Sequence, residues 1–159
     1  MRLRDELKLK RDFSSIDHEA LLSVVVTSSM LLKVSDRFFA KHGITGTQFN
    51  ILKMLREFQE EGLNQQELSE KLVVTKSNVV GLIDRLEKSG YVERKKHLSD
   101  RRCYRLGLTR KGKRLVEGLE VIYFKKVNQL LQGLTQEEKK ELIRALEGVR
   151  ENIRQDRAG

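Results

Sequence analysis

The chain has 159 residues, 38% hydrophobic and 35% charged, and a formal net charge of +9. That length favours one domain, and the apolar share allows a thin core of the kind that dimerisation completes. The positive balance calls for an anionic partner, and nucleic acid fits better than a membrane, because no helix is both very basic and very apolar.

The single cysteine excludes an internal disulfide framework and suits a reducing compartment. No apolar run has the length of a membrane span, and the N-terminus lacks an apolar signal core, so the expected location is the cytoplasm, with no membrane partner. Proline is absent, which leaves long helices unbroken.

Residues 1–14 form a basic arm, expected to be frayed or partly helical; an arm touching DNA or a partner subunit is the alternative. A long helix starts near Ser15, with Asp17 and Glu19 in its first turn, where the helix dipole favours acids. Leu21, Val24, Leu31 and Phe38 recur at helical spacing, and Val25, Leu32 and Phe39 widen the stripe. So broad an apolar face on so long a helix predicts packing against a second subunit. The helix ends near His42 and Gly43.

Thr45 and Gln48 have the spacing of a capping box and open a helix carrying Phe49, Leu52, Leu55 and Phe58. Leu63 is the candidate for a short third strand beside a hairpin. Asn64 and Glu67 form a second capping box for a short helix that turns Leu68 and Leu72 inward. After a tight turn, Thr75 caps another helix, and Gly90 supplies a left-handed stop. The pair reads as helix-turn-helix.

In the second of these helices Val79, Ile83 and Leu86 form the inward stripe, with Val80 and Leu82 at its margins. Lys76, Ser77, Asn78, Gly81, Arg85 and Lys88 lie largely on the other side. Small polar residues at the start allow close approach to a groove, and basic residues follow. An ordinary solvated helix face would look similar, so this helix alone does not decide the matter.

Two strand-like runs follow, Tyr91 to Lys96 and Cys103 to Leu108, around a basic tip. Arg101, Arg102 and Arg105 crowd this hairpin, and clustered guanidinium groups repel one another unless an anion receives them. Thr109 caps a second long helix reaching about Gln132. Leu115, Leu119, Ile122, Val127 and Leu130 lie near one broad face, and Gly133 closes the helix. Thr135 and Glu138 open the last helix, where Leu142, Ala145, Leu146, Val149 and Ile153 keep helical spacing.

Asp100 and Arg102, followed by Leu108, Thr109 and Gly112, meet a known pattern at every fixed position, and Asp84, Arg85, Leu86, Glu87, Lys88 and Gly90 precede it. On these residues the chain resembles the MarR-type winged helix-turn-helix transcription regulators over about Ser15 to Arg154. The resemblance implies a mainly α fold with a small wing sheet: a winged domain over 45–112, flanked by dimerisation helices over 15–44 and 113–159, so that 15–159 form one domain. It implies a homodimer that regulates transcription, as a repressor, at a pseudo-palindromic double-stranded DNA operator. Arg102 would enter the minor groove, oriented by Asp100. Thr75, Lys76, Ser77, Asn78 and Arg85 would face the major groove, and Lys95, Lys96 and Arg101 the phosphates.

The resemblance also implies a small aromatic or anionic effector between the dimerisation helices and the winged domain, with Arg37, Phe38, His42 and Phe49 as candidate lining. The favoured reading of Phe38 and Phe49 is nonetheless plain core. Cys103 lies beside cations that favour a thiolate, but the family's oxidant sensors carry their cysteine in the first long helix, where this chain has none. The three histidines have no metal-ligand spacing, and there is no phosphate-binding glycine loop or nucleophile elbow, so no catalytic residue, metal or cofactor is expected. A winged-helix module that docks on protein and a non-specific nucleoid-type DNA binder are the alternatives.

Overall fold

The computed structural model describes residues 2–60, 62–72, 76–96 and 104–156, without the side chains of Lys76, Ser77 and Lys96. The elements run α1 (Leu3–Glu6), α2 (Ile16–Ala40), α3 (Gly46–Glu57), α4 (Gln65–Lys71), α5 (Lys76–Lys88), β1 (Val92–Lys96), β2 (Tyr104–Leu108), α6 (Arg110–Leu130) and α7 (Gln136–Asp156). Two compact units result, Met1–Val116 and Glu117–Gly159. Among the described residues no helix is long and apolar enough to cross a membrane.

Each helix start follows from a local donor problem: the first N–H groups of a helix have no partner within it. Ser15 accepts from the His18 N–H, Thr45 from Gln48 and Asn64 from Glu67. At α3 and α4 the partner side chain reaches back to the capping residue's N–H, at 2.9 Å in both cases, completing the reciprocal box. Thr135 and Glu138 make the same exchange before α7. The expected cap at Thr75 lies outside the described residues. The arm is partly helical, with Arg4 ion-paired to Asp12 at 2.9 Å.

The core of the first unit gathers where α3 meets α2, α4, α5 and β2. Phe39, Phe49, Ile51, Leu52, Leu55, Leu68, Val79, Ile83, Leu86, Val92 and Leu106 are all buried there. Phe39 and Phe49 stack with ring centroids 4.8 Å apart. Leu82, assigned to a margin by periodicity, is buried, whereas Val80 is exposed. Leu82 is three residues after Val79 and four before Leu86, which puts it inside the buried stripe, whereas Val80 follows Val79 directly and is turned about 100° away from it.

β1 and β2 pair antiparallel, from Val92 opposite Leu108 to Lys96 opposite Tyr104. Leu63 adds a single bridge to Leu106, whose N–H donates to the Leu63 carbonyl at 2.7 Å. That is the third strand, reduced to one residue.

The base of the hairpin is tied by one hydroxyl. Thr109 Oγ1 donates to the Gly90 carbonyl at 2.7 Å and accepts from the Gly112 N–H at 3.0 Å, while the Thr109 N–H donates to Tyr91 at 3.1 Å. Gly90 stands at φ +73°, the left-handed conformation that ends α5. Gly112 packs so closely that an added Cβ would lie 2.1 Å from the Tyr91 carbonyl oxygen. These contacts explain why this chain needs a threonine at 109 and a glycine at 112.

Along the apolar stripe of α2, Leu21, Val24, Val25, Leu31 and Leu32 are exposed. In the second unit, Leu142, Val149 and Ile153 of α7 are exposed too, as are Val121, Ile122 and Phe124 of α6.

Gly112→Ala is expected to destabilise the chain by on the order of 3 kcal/mol, since backbone cannot yield to a methyl group. Gly118→Ala, in the same helix with nothing near its Cβ, serves as the control and is expected to be neutral or stabilising. Thermal melts of the two variants check this.

Candidate nucleic-acid interface

The outward face of α5 presents Asn78, Val80, Asp84 and Arg85, all exposed, with Gly81 half-buried among them. The inward residues Val79, Leu82, Ile83 and Leu86 fix that orientation by burial. Lys76 and Ser77 lie in the first turn of the same helix. Lys95 is exposed on β1 and pairs with Glu93 at 2.9 Å. Lys96 ends β1. Thr75, Asp100, Arg101, Arg102 and Cys103 lie outside the described residues, between elements that the structure does place.

The arginine at 105 is a correction to the tip cluster. It is only part-exposed, and its guanidinium donates to the Glu67 carboxylate at the start of α4. An acid of its own chain receives this charge, so Arg105 does not stand as a free cation.

Arg94 went unnoticed in the sequence. Its Nη2 reaches Asp84 at 2.5 Å and its Nη1 donates to Glu87, both on α5. The signal was present in principle. Asp84 and Glu87 are three apart and share a helix face, and Arg94 lies two residues from Val92, on the side of β1 that turns inward.

Around this geometry the known relatives can be set. The family model described as "MarR family" matches residues 44–104. The HTH-type transcriptional repressor YetL of Bacillus subtilis (strain 168) is 30% identical over 135 residues, covering 85% of this chain and 81% of that protein. The chain belongs to the MarR family. A MarR/EmrR family transcriptional regulator from Acinetobacter sp. ADP1 has the same fold, with a TM-score of 0.77 and 27% identity, covering 89% of this chain and 99% of that one. MepR of S. aureus, in a structure of a MepR–DNA complex, matches with a TM-score of 0.74 at 24% identity, covering 87% of this chain and 96% of that one. The likeness to MepR is one of fold. The chain is a winged helix-turn-helix transcription regulator of mainly α architecture.

Of the residues considered for an effector in this MarR-family chain, three lie in one aromatic row. Phe38 meets Phe39 edge-on at 4.9 Å and His42 at 5.5 Å, and Phe39 continues to Phe49. Phe49 is wholly enclosed, whereas Phe38 and His42 are half-buried. Arg37 is exposed, with its Nε donating to the Lys33 carbonyl of its own helix at 3.3 Å. Among the described residues no group of His, Cys, Asp and Glu is arranged to hold a metal.

Glu67 is the titratable group of this region with a displaced pKa, held below its ordinary 4.5. The hydrogen bond from the Asn64 N–H is the main cause, opposed by partial burial and aided by Arg105. A carboxyl with a lowered folded-state pKa adds stability that is present above the unfolded value and lost as pH falls through the folded one. Glu67→Gln is therefore expected to lower the urea midpoint at neutral pH. The difference from the parent chain should shrink as pH drops below 4.5. A gap that stays constant across that range would contradict the assignment.

Proposed function

We propose that this chain is a homodimeric, sequence-specific regulator that binds a pseudo-palindromic double-stranded DNA operator in the cytoplasm and represses transcription. The observation that carries this reading is the pairing of two features in one unit. A helix with a polar, partly basic outer face (α5) stands beside a hairpin whose tip sequence holds Arg101 and Arg102. Such a pair suits a major groove and the neighbouring minor groove.

In this reading Lys76, Ser77, Asn78 and Arg85 meet base edges near α5, with Thr75 beside them. Arg102 enters the minor groove, oriented by Asp100, and Lys95, Lys96 and Arg101 meet phosphates. YetL is named as a transcriptional repressor, and the fold shared with MepR occurs there in a complex with DNA, which supports the reading. No catalytic step belongs to it.

The exposed stripes of α2 and α7 supply the reason for a second copy. Uncovered leucine, isoleucine and valine at helical spacing lose free energy in water that a partner helix restores. A two-fold dimer then offers two α5 helices to two half-sites. An aromatic or anionic effector near Arg37, Phe38, His42 and Phe49 would act by favouring a dimer whose α5 helices are wrongly spaced for successive grooves.

Selection of bound duplexes from a random pool tests the reading. The expected product is a palindrome with half-sites about 10 base pairs apart, centre to centre. Equal affinity for selected and random duplexes would point instead to a nucleoid-type binder, and no binding at moderate salt to a protein-docking module. On the selected duplex, Arg102→Ala is expected to weaken binding by on the order of 1–3 kcal/mol. Lys96→Ala should weaken all duplexes alike and flatten the salt dependence. Anisotropy titrations over a salt series separate the two effects.

A further inference from the structure

A two-stranded hairpin is marginal on its own, and among the described residues apolar packing holds this one as far as its midpoint, where Leu106 also bridges Leu63. Val92, Leu106 and Leu108 are buried, while Tyr104, further out, is half exposed. Ion pairs then bear on the direction in which the strands run out from the core.

The register supplies two opposed faces. Arg94 lies opposite Leu106 and Lys95 lies opposite Arg105, so Arg94 and Arg105 project from opposite sides of the ribbon. From one side, Arg94 forks between Asp84 and Glu87 of α5. From the other, Arg105 pairs with Glu67 of α4. Both arginine side chains are mostly shielded, at 26% and 30% exposure, though Asp84 opposite Arg94 is 56% exposed, so the pairs are screened somewhat less than fully exposed ones.

We propose that Arg94 and Arg105 are positioning residues that clamp the hairpin to both helices of the helix-turn-helix, β1 to α5 and β2 to α4. A restraint on each face resists rolling of the hairpin in either direction. The clamp sets the angle between the two strands and α5, and thereby bears on the spacing between the two grooves the chain can engage at once. This rests on the DNA-binding reading above. Arg94 has a geometric role that lysine fills poorly, since one planar fork serves two carboxylates.

The clamp predicts an effect opposite in sign to simple electrostatics. Asp84, Glu87 and Glu67 are negative groups beside a face proposed to meet phosphates. As mere surface charges, their removal would tighten DNA binding. As clamp members, their removal loosens the hairpin and weakens it. The variants are Glu67→Gln and the double variant Asp84→Asn with Glu87→Gln. Glu67→Gln keeps an acceptor for the Asn64 N–H, as Gln48 does for Thr45 in this same chain.

Two measurements are made on the full-length protein: hydrogen exchange of the β1 and β2 amides without DNA, and anisotropy with the selected duplex at physiological salt. In each variant the hairpin amides are expected to exchange faster while those of α3 keep their protection. Affinity for the selected duplex should fall about three- to fivefold despite the more positive chain. Arg102→Ala should cost less in the clamp-free background than in the parent, because the two act through the same tip. Unchanged hairpin exchange, tighter binding, or fully additive losses would each overturn the clamp. If the parent chain binds no duplex while exchange responds as expected, the DNA-binding reading falls and the clamp survives.

Discussion

The winged domain hangs on the hydroxyl of Thr109. A single oxygen closes the C-terminal end of α5 through Gly90 and opens α6 through Gly112, and the backbone of the same residue closes the hairpin at Tyr91. Three elements therefore share one small knot of hydrogen bonds, too tight to admit a side chain at Gly112. Lys111 reinforces it, with its Nζ donating to the Ser89 carbonyl at 2.8 Å and lying over the Tyr91 ring at 4.6 Å. Capping, left-handed termination and close approach are separate local rules; here they are satisfied by neighbouring atoms.

Charge is arranged around that knot in two classes. Arg94 and Arg105 are spent within the chain, on Asp84, Glu87 and Glu67. Arg85 is exposed on the outer face of α5 and makes no salt bridge among the described residues. The basic excess of the whole chain thus overstates the field available at the hairpin and understates its order. Some cations hold the scaffold in shape, and others, Arg85 among them, stand exposed.

Much of the fold was legible because local rules carried it. Ser15, Thr45, Asn64, Thr109 and Thr135 announced five helix starts, and Gly90 and Gly133 announced two stops, both at positive φ. The lone bridge at Leu63 was legible too, since an apolar residue between a turn and a cap has little else to do. What periodicity could not give was the partner of a long side chain. Arg105 was read with its sequence neighbours because strand alternation states which face a residue takes and not what waits there; Glu67 is 38 residues away. Arg94 was passed over for the same reason, as its two acids belong to a helix that only the folded chain brings beside β1. Phe49 shows a related limit, because aromatic residues at helical spacing describe a core and a pocket wall alike, and enclosure is a property of the assembled neighbours.

The knot at Thr109 also bears on how motion can travel. The end of α5, the root of the hairpin and the first turn of α6 are fastened at one corner. A displacement of that turn therefore reaches the other two through one set of hydrogen bonds, while the outer strands answer to the Arg94 and Arg105 pairs.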